Sequence, residues 1–221
     1  MKKTLTTSLA TLALMSSYLL AQDIDVKVVN NTHGIYFTPL LVSAHPATTS
    51  MFTLGSAASA NLKAMAEGGS TTGLAADFSL ENANNTNVTG LTNPGATAMV
   101  SLTTDSANTH LSIGAMMLPT NDGFIALNNW EIPATPGTYT ININAYDAGT
   151  EANTEIITDI PADPGSHAGT GATGVSTTVE GYVHIHRGNI GDSNTTGGKS
   201  DLDNASQRWL NPIAQVIVTV K

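Results

Sequence analysis

Two acidic loops that follow apolar stretches are the first feature of the sequence that could do chemistry. Asp122 lies within 118–124, and Asp147 and Glu151 lie together within 145–151. Carboxylate oxygens are ligands that calcium prefers, and calcium tolerates irregular loop geometry. Asp also caps turns frequently, and on spacing alone this structural role is the favoured interpretation. The sequence therefore leaves a calcium site and a pair of ordinary turns as alternatives.

A histidine pair is the second such feature. His184 and His186 lie two residues apart in a predicted strand, so both rings are expected on one face. Imidazole binds copper or zinc, and His45, at the end of another predicted strand, could be a third ligand, with His33 a weaker fourth. A His-x-His pattern alone is weak evidence. The favoured alternative is a polar pair that faces solvent or hydrogen-bonds to the backbone inside the protein.

The sequence contains no recognisable catalytic apparatus. It has no cysteine, no Gly-x-Ser-x-Gly motif and no glycine-rich phosphate loop that ends in lysine. Asp201 and Asp203 form an Asp-x-Asp pair in a polar loop, for which a solvated turn is the favoured interpretation. We therefore expect a binding protein and not an enzyme.

The elements that must position these groups are mostly short strands. Alternation of apolar and polar residues predicts strands at 23–30 and 137–146. Further extended segments are predicted at 35–45, 98–103, 111–118, 124–127, 155–160, 178–187 and 209–220, and Pro39 interrupts the first of them. The segment 74–80 is ambiguous, and 82–93, rich in Asn and Thr, is predicted to be a loop.

One short helix is predicted at 59–66. Ser59 can cap its start, and Gly68 and Gly69 can end it. Many short strands, turn-rich connections and a single helix predict an all-β antiparallel sandwich. Two long polar loops, at 161–176 and 188–206, are unusual for a compact domain.

The first 21 residues have the pattern of a secretory signal peptide. Lys2 and Lys3 form a basic start, an apolar stretch follows, and Ala21 is a small residue at the expected cleavage point. Removal of this segment leaves 200 of the 221 residues, which suit one domain, 22–221. We expect the mature protein outside the cytoplasm, secreted or periplasmic, with no transmembrane segment after signal removal.

The net charge limits the kinds of partner that the protein can bind, and the cysteine content limits what can stabilise it. Loss of the two signal lysines takes the net charge from −9 to −11. This acidity disfavours nucleic acid, whose phosphates need a basic surface. Without cysteine the exported chain has no disulfide, and its stability depends on the core, on backbone pairing and on any bound metal.

A series of short stretches carries a resemblance to a known family. In order they are Thr-His-Gly at 32–34, Phe-Thr-Pro at 37–39, Val-Ser-Ala-His at 42–45, Phe-Thr-Leu-Gly at 52–55, Leu-Lys-Ala-Met-Ala-Glu at 62–67, Met-Leu-Pro-Thr-Asn-Asp-Gly-Phe at 117–124, Tyr-Asp-Ala-Gly-Thr-Glu-Ala-Asn at 146–153, Val-His-Ile-His at 183–186, Asp-Leu-Asp at 201–203 and Trp-Leu-Asn-Pro-Ile-Ala at 209–214. With them the chain, from Val28 onwards, resembles the spondin domain, known from F-spondin and mindin and found alone in many secreted bacterial proteins. The Tyr-Asp-Ala-Gly-Thr stretch is the most specific part.

The resemblance implies an antiparallel β-sandwich similar to calcium-dependent lipid-binding modules, with calcium held by loops at one end. Motif by motif, it implies Asp122, Asp147 and Glu151 as the calcium ligands. The chain departs from the animal motif at Gly123, where that motif has an aromatic residue, and at Glu151, where it has Asp. Disulfides and extra adhesive modules of the animal members have no counterpart in this sequence, so their integrin and matrix partners are not transferred.

The sequence therefore predicts a secreted, non-catalytic, calcium-binding β-sandwich module. Its expected role is adhesion or the recognition of an unidentified surface, matrix or carbohydrate ligand. The alternative is a periplasmic or surface copper- or zinc-binding protein that uses His45, His184 and His186.

Overall fold

The computed structural model describes residues 21–161, 174–194 and 197–221. These residues form eleven strands and two helices. The strands are β1 (Asp23–Asn30), β2 (Tyr36–Phe37), β3 (Leu40–His45), β4 (Asn84–Val88), β5 (Thr97–Thr103), β6 (His110–Leu118), β7 (Gly123–Glu131), β8 (Gly137–Ile143), β9 (Ala145–Asp147), β10 (His184–Ile185) and β11 (Ala214–Val220). The helices are α1 (Ala60–Gly68) and α2 (Thr72–Leu80). The prediction of an all-β antiparallel sandwich is confirmed.

Two antiparallel sheets make up the sandwich. The smaller has the strand order β5–β1–β11–β8, and the larger has the order β10–β9–β7–β6–β3–β4, with β2 paired to β6. Strands β1 and β11 pair from Ile24 with Val220 to Asn30 with Ala214. The first and last strands therefore lie side by side in the middle of the smaller sheet, which fixes both ends of the described chain in the fold.

The main core lies between the two sheets. In β1 the alternating residues Ile24, Val26 and Val28 are buried, and in β11 Val216 and Val218 face them from the neighbouring strand. Asp23, Asp25 and Lys27 of β1 and Gln215 and Thr219 of β11 fall on the other face, as the period of two residues requires. The alternation in the sequence thus predicts this half of the core correctly.

A second core lies on the outer face of the larger sheet, under the two helices. Strand β3 is buried along its whole length, because Val42 packs into the core between the sheets while Leu41 packs with the helices. Strand β7 shows the same division, with Ile125 in the first core and Phe124 in the second. The helices therefore cover the sheet from which the acidic loops emerge.

Helix α1 has the predicted ends. The Ser59 hydroxyl accepts a hydrogen bond from the Leu62 amide at 3.0 Å, and Gly69 ends the helix in the left-handed conformation, with φ of 71°. The ambiguous segment forms α2, which buries Leu74 and Phe78, one helical turn apart. The fold prediction named one helix, and the structure has two because packing on β3 and β4 decides the second.

Three strand predictions were wrong. The segment 82–93, predicted as a loop, contains β4, whose backbone pairs with β3 despite its Asn and Thr side chains. The segment 155–160 forms turns, and only the two residues of β10 form a strand within 178–187. Within 155–160 the Ile157 amide donates to the Asp201 side chain at 2.8 Å. Within 178–187 the amides of Gly181 and Val183 donate to the carbonyls of Gly149 and Ser56.

The predicted strand 137–146 is divided between the two sheets. Strand β8 pairs with β11 in the smaller sheet, and β9 pairs with β7 in the larger one. The Asn211 side chain accepts a hydrogen bond from the Ala145 amide at 2.8 Å, just after the change of sheet. This division carries Asp147 into the larger sheet, beside Asp122.

Two predictions concern segments outside the described residues. The signal-peptide prediction at 1–21 falls on residues 1–20, and the long loop at 161–176 falls mostly on 162–173. Within the described part of the chain, neither helix has the length and apolar character needed to span a membrane.

Candidate functional site

The short strand β9 is the centre of the site. It pairs with β7 on one side and with β10 on the other, and Asp147 is directly opposite both Gly123 and His184. Asp122 immediately precedes Gly123 at the start of β7. Neighbouring strands lie about 4.8 Å apart. Three adjacent strands therefore bring Asp122, Asp147 and His184 to one end of the larger sheet.

The loop after β9 reverses sharply at Gly149. Its φ is +67°, and a Cβ atom there would lie 2.4 Å from the carbonyl oxygen of Tyr182. Only glycine adopts this conformation at so close an approach without strain. The reversal returns Thr150 and Glu151 to Asp122, whose Oδ2 accepts hydrogen bonds from their amides at 2.7 and 3.1 Å.

Asp122 is fully buried and only partly satisfied. Its Oδ2 takes three hydrogen bonds from Thr150 and Glu151, while its Oδ1 has no partner among the described residues. Burial, together with the neighbouring charge of Asp147, raises the pKa of Asp122 to about 6. The sequence-based alternative of an ordinary turn cap accounts for Oδ2 and leaves Oδ1 unexplained.

Asp147 is also fully buried. Its Oδ1 accepts the Gly149 amide at 2.7 Å, and its Oδ2 accepts the Asn153 side-chain amide at 2.6 Å. Oδ1 also lies 3.6 Å from Nε2 of His184. The carboxylate is therefore held in one orientation between the acidic loop and β10.

Glu151 completes the predicted acidic set. Burial raises its pKa to about 7, and the charges of Glu67 and Asp122 add to the effect, although the Gly174 amide donates to its Oε1 at 2.7 Å. Glu67, on α1, was not among the predicted site residues, and its position beside Glu151 depends on how α1 packs on the sheet. Lys63 lies 2.9 Å from Glu67, and its hydrogen bond to Glu67, with the charges of Glu151 and Asp122, raises its pKa.

We call Glu67, Asp122, Asp147 and Glu151 the acidic cluster. Lys63 is half exposed and supplies one positive charge that acts on Glu67, Asp122 and Glu151. Like charges at short range in a buried place repel strongly, because the local dielectric constant is low. The cluster therefore concentrates negative charge at this end of the larger sheet.

The structure brings together two of the three predicted histidines. His184 and His186 line one cleft of about 520 Å³ with Asp147, Glu155 and Glu180. The exposed part of His186 is 5 %, burial lowers its pKa, and its ring packs on Trp209.

The inclusion of His45 in this set is wrong. Three strands lie between β3 and β10 in the sheet, which separates them by about 19 Å at about 4.8 Å a step. Both ring nitrogens of His45 are also occupied, Nδ1 by the Pro46 carbonyl at 2.9 Å and Nε2 by the Ser112 hydroxyl at 2.8 Å. His45 is a buried structural histidine whose pKa is lowered by burial.

One group of three metal-ligating residues is close enough to share an ion within the described parts of the chain. It is Asp147, Glu180 and His184, with one donor atom of each within 4.8 Å of the others. Asp122 and Glu151 fall outside this group. Glu180 was not among the predicted site residues, and the structure places it in an irregular segment within the predicted strand 178–187.

The loop at 188–206 is attached to the site by carboxylates. Glu155, which is buried, accepts hydrogen bonds from the amides of Ile190 and Gly191 and from the Ser200 hydroxyl. Asp201 accepts the Ile157 amide at 2.8 Å. These contacts give Glu155 a structural role that spacing in the sequence does not show.

A known protein family matches the chain. The family model described as Spondin_N matches residues 29–169, which is more than half of the chain. No curated protein matches it.

Proposed function

Because the chain belongs to the Spondin_N family, we propose that it is an extracytoplasmic, non-catalytic binding module in which calcium ties together the loops at one end of the β-sandwich. Asp122, Asp147 and Glu151 are the proposed calcium ligands. The proposed role is adhesion or recognition of a surface, matrix or carbohydrate ligand, and residues 1–21 are proposed to be the export signal of a mature domain at 22–221.

The observation that carries the calcium proposal is the unpaired Oδ1 of Asp122. A buried carboxylate oxygen without a hydrogen-bond donor destabilises the fold by about 1–3 kcal/mol. Asp147 lies beside Asp122. Burial and the repulsion between the two carboxylates together raise the pKa of Asp122 to about 6. A bound cation would satisfy the oxygen and offset the repulsion.

The donor set of the acidic cluster favours calcium among cations. The three proposed ligands in it are carboxylates, and they come from loops and strand ends without regular geometry. Calcium takes six to eight oxygen ligands at about 2.3–2.6 Å and accepts irregular arrangements, whereas magnesium requires a near-ideal octahedron. Backbone carbonyls and water would complete the shell around three carboxylates.

Calcium at this position would stabilise the folded protein. An ion that binds only the folded state adds about 2.7 kcal/mol at a concentration one hundred times its Kd. The cation would hold the loop after β6 to the loop after β9, so that the end of the sandwich becomes a firm surface for a partner.

Thermal unfolding with and without calcium tests the proposal. We expect calcium to raise the Tm of the chelator-treated protein, and Asp122→Asn and Glu151→Gln to reduce that increase. Glu131→Gln is the matched control, because Glu131 is exposed at the far end of β7, and it should respond as the wild type does. A wild-type Tm that is the same in calcium and in chelator would overturn the proposal.

A further inference from the structure

A cleft beside β10 carries metal-ligating groups of which the calcium proposal uses only Asp147. Asp147 and His184 line it at the pairing of β9 with β10, and Glu180 lines it from the preceding segment. We propose that Asp147, Glu180 and His184 bind a divalent transition metal of the zinc and copper class in this cleft. This goes beyond the proposed calcium function and shares only Asp147 with it.

The spacing of the ligand atoms fits such an ion. Two ligands about 2.1 Å from a tetrahedral ion lie about 3.4 Å apart. Nε2 of His184 lies 3.6 Å from Oδ1 of Asp147, which is too long for a hydrogen bond. Glu180 offers an oxygen within 4.8 Å of one ligand atom of Asp147 and one of His184. Because Glu180 is exposed at the rim of the cleft, its side chain can close the small remaining distance.

The tautomer of His184 leaves the correct nitrogen free. Its Nδ1 lies 3.1 Å from the carbonyl oxygen of Ile185, which can only accept a hydrogen bond, so Nδ1 carries the proton. The lone pair is then on Nε2, which is buried and has no hydrogen-bond partner among the residues described. A backbone carbonyl that fixes the tautomer in this way is a usual partner of a metal-bound histidine.

The Asp147 carboxylate is oriented by the same kind of contact. The Gly149 amide and the Asn153 side chain hold it from behind. One imidazole and two carboxylates form a borderline donor set. Such a set suits zinc or copper better than calcium, which prefers ligands that are all oxygen.

His186 supplies a second, independent indication that the cleft holds a bound group. It is 5 % exposed and lines the same cleft, and its Nε2 has no hydrogen-bond partner in the described parts of the chain. The Gly188 amide donates to its Nδ1 at 3.0 Å, so the proton is on Nε2. His186 is therefore a hydrogen-bond donor and not a metal ligand. Three protein ligands leave a tetrahedral ion one open position, and we assign the Nε2–H group to a water or anion held there.

Zinc titration of the full chain by calorimetry, in excess calcium, tests the proposal. We expect binding of one zinc ion per chain, and His184→Ala and Glu180→Gln should weaken it by at least about tenfold. His33→Ala is the matched control, since His33 is exposed and outside the cleft, and it should bind zinc as the wild type does. With copper(II) in place of zinc, the variants should rank in the same order of metal affinity.

The two metal proposals fail separately in this design. Asp122→Asn and Glu151→Gln should lose the effect of calcium on Tm and keep zinc affinity, while His184→Ala and Glu180→Gln should do the reverse. The retained calcium response also shows that these variants are folded. Zinc affinity that is absent in the wild type, or equal in the wild type and the His184→Ala and Glu180→Gln variants, would overturn the proposal whatever calcium does.

Discussion

Asp122 and Glu151 are carboxylates in surroundings that favour their protonated forms. For each, burial is the largest cause and nearby carboxylates add to it, and the pKa rises to about 6 and about 7 respectively. An acid whose pKa is higher in the folded state than in the unfolded state destabilises the fold at high pH. That penalty disappears as the pH falls through the folded pKa toward the unfolded value.

Replacement of Glu151 by Gln should therefore stabilise the chelator-treated protein at pH 8 relative to the wild type. The gain should be about 1–3 kcal/mol, since one pKa unit corresponds to about 1.4 kcal/mol, and it should shrink toward zero by about pH 4, where Glu151 is mostly protonated in the folded and the unfolded chain. Gln keeps an oxygen to accept the Gly174 amide. Urea unfolding at both pH values measures the difference.

The buried histidines destabilise the fold in acid, and the comparison of Glu151→Gln with the wild type cancels this effect. Burial lowers the pKa of His45 and His186, so protonation in acid destabilises the fold in both proteins equally. Glu131→Gln should follow the wild type across the range. If Glu151→Gln gains no stability at pH 8, then burial and the nearby carboxylates do not disfavour the ionised form of Glu151.

At the level of elements, β9 has the largest effect on the site and was the hardest to predict. The alternation over 137–146 correctly places Ile143 inside the core. It does not show that the chain changes sheets at Asn144, because that change depends on the distant Asn211 and on pairing with β7. The acidic loops were therefore predicted from the sequence, whereas Glu67 and Glu180 come to the site through contacts that no local pattern encodes.

Gly149→Ala should destabilise the protein and disturb both proposed metal positions. The positive φ of +67° strains an alanine by about 1–3 kcal/mol, and its Cβ would lie 2.4 and 2.7 Å from the backbone oxygen and nitrogen of Tyr182. The backbone of 181–183 must then move away from β9. We expect a lower Tm and weaker binding of calcium and zinc.

Gly90→Ala separates backbone strain from the contact with Tyr182. Gly90 has a similar φ of +80°, but a Cβ there would meet nothing within 4 Å. This variant should lose less stability than Gly149→Ala and should bind both metals as the wild type does. Equal losses in the two variants would show that the close approach of the two loops is unimportant.

At the level of the whole molecule, the sequence predicts the sandwich better than its layers. The strong alternation of β1 and β11 reflects one buried face each, so composition and period suffice. Strands β3 and β6 are buried on both faces almost throughout, so their sequences show no regular alternation of apolar and polar residues. Helix α2 and the polar strand β4 form because β3 offers them a partner, and this information is not in their own residues.

The smaller sheet should therefore determine global stability without determining the proposed metal chemistry. Val218 is fully buried and pairs with Val26 in the middle of this sheet. Val218→Ala removes two carbon atoms and leaves a cavity, so the free energy of unfolding should fall by about 2–3 kcal/mol. Thr219→Ala, on the outer face, should change it by less than about 0.5 kcal/mol.

Because the acidic cluster belongs to the loops of the larger sheet and to α1, the increase in Tm caused by calcium should be the same in Val218→Ala as in the wild type. Urea unfolding and a calcium titration of Tm measure the two quantities, and a calcium response lost together with stability would mean that the end loops are ordered only as part of the whole core.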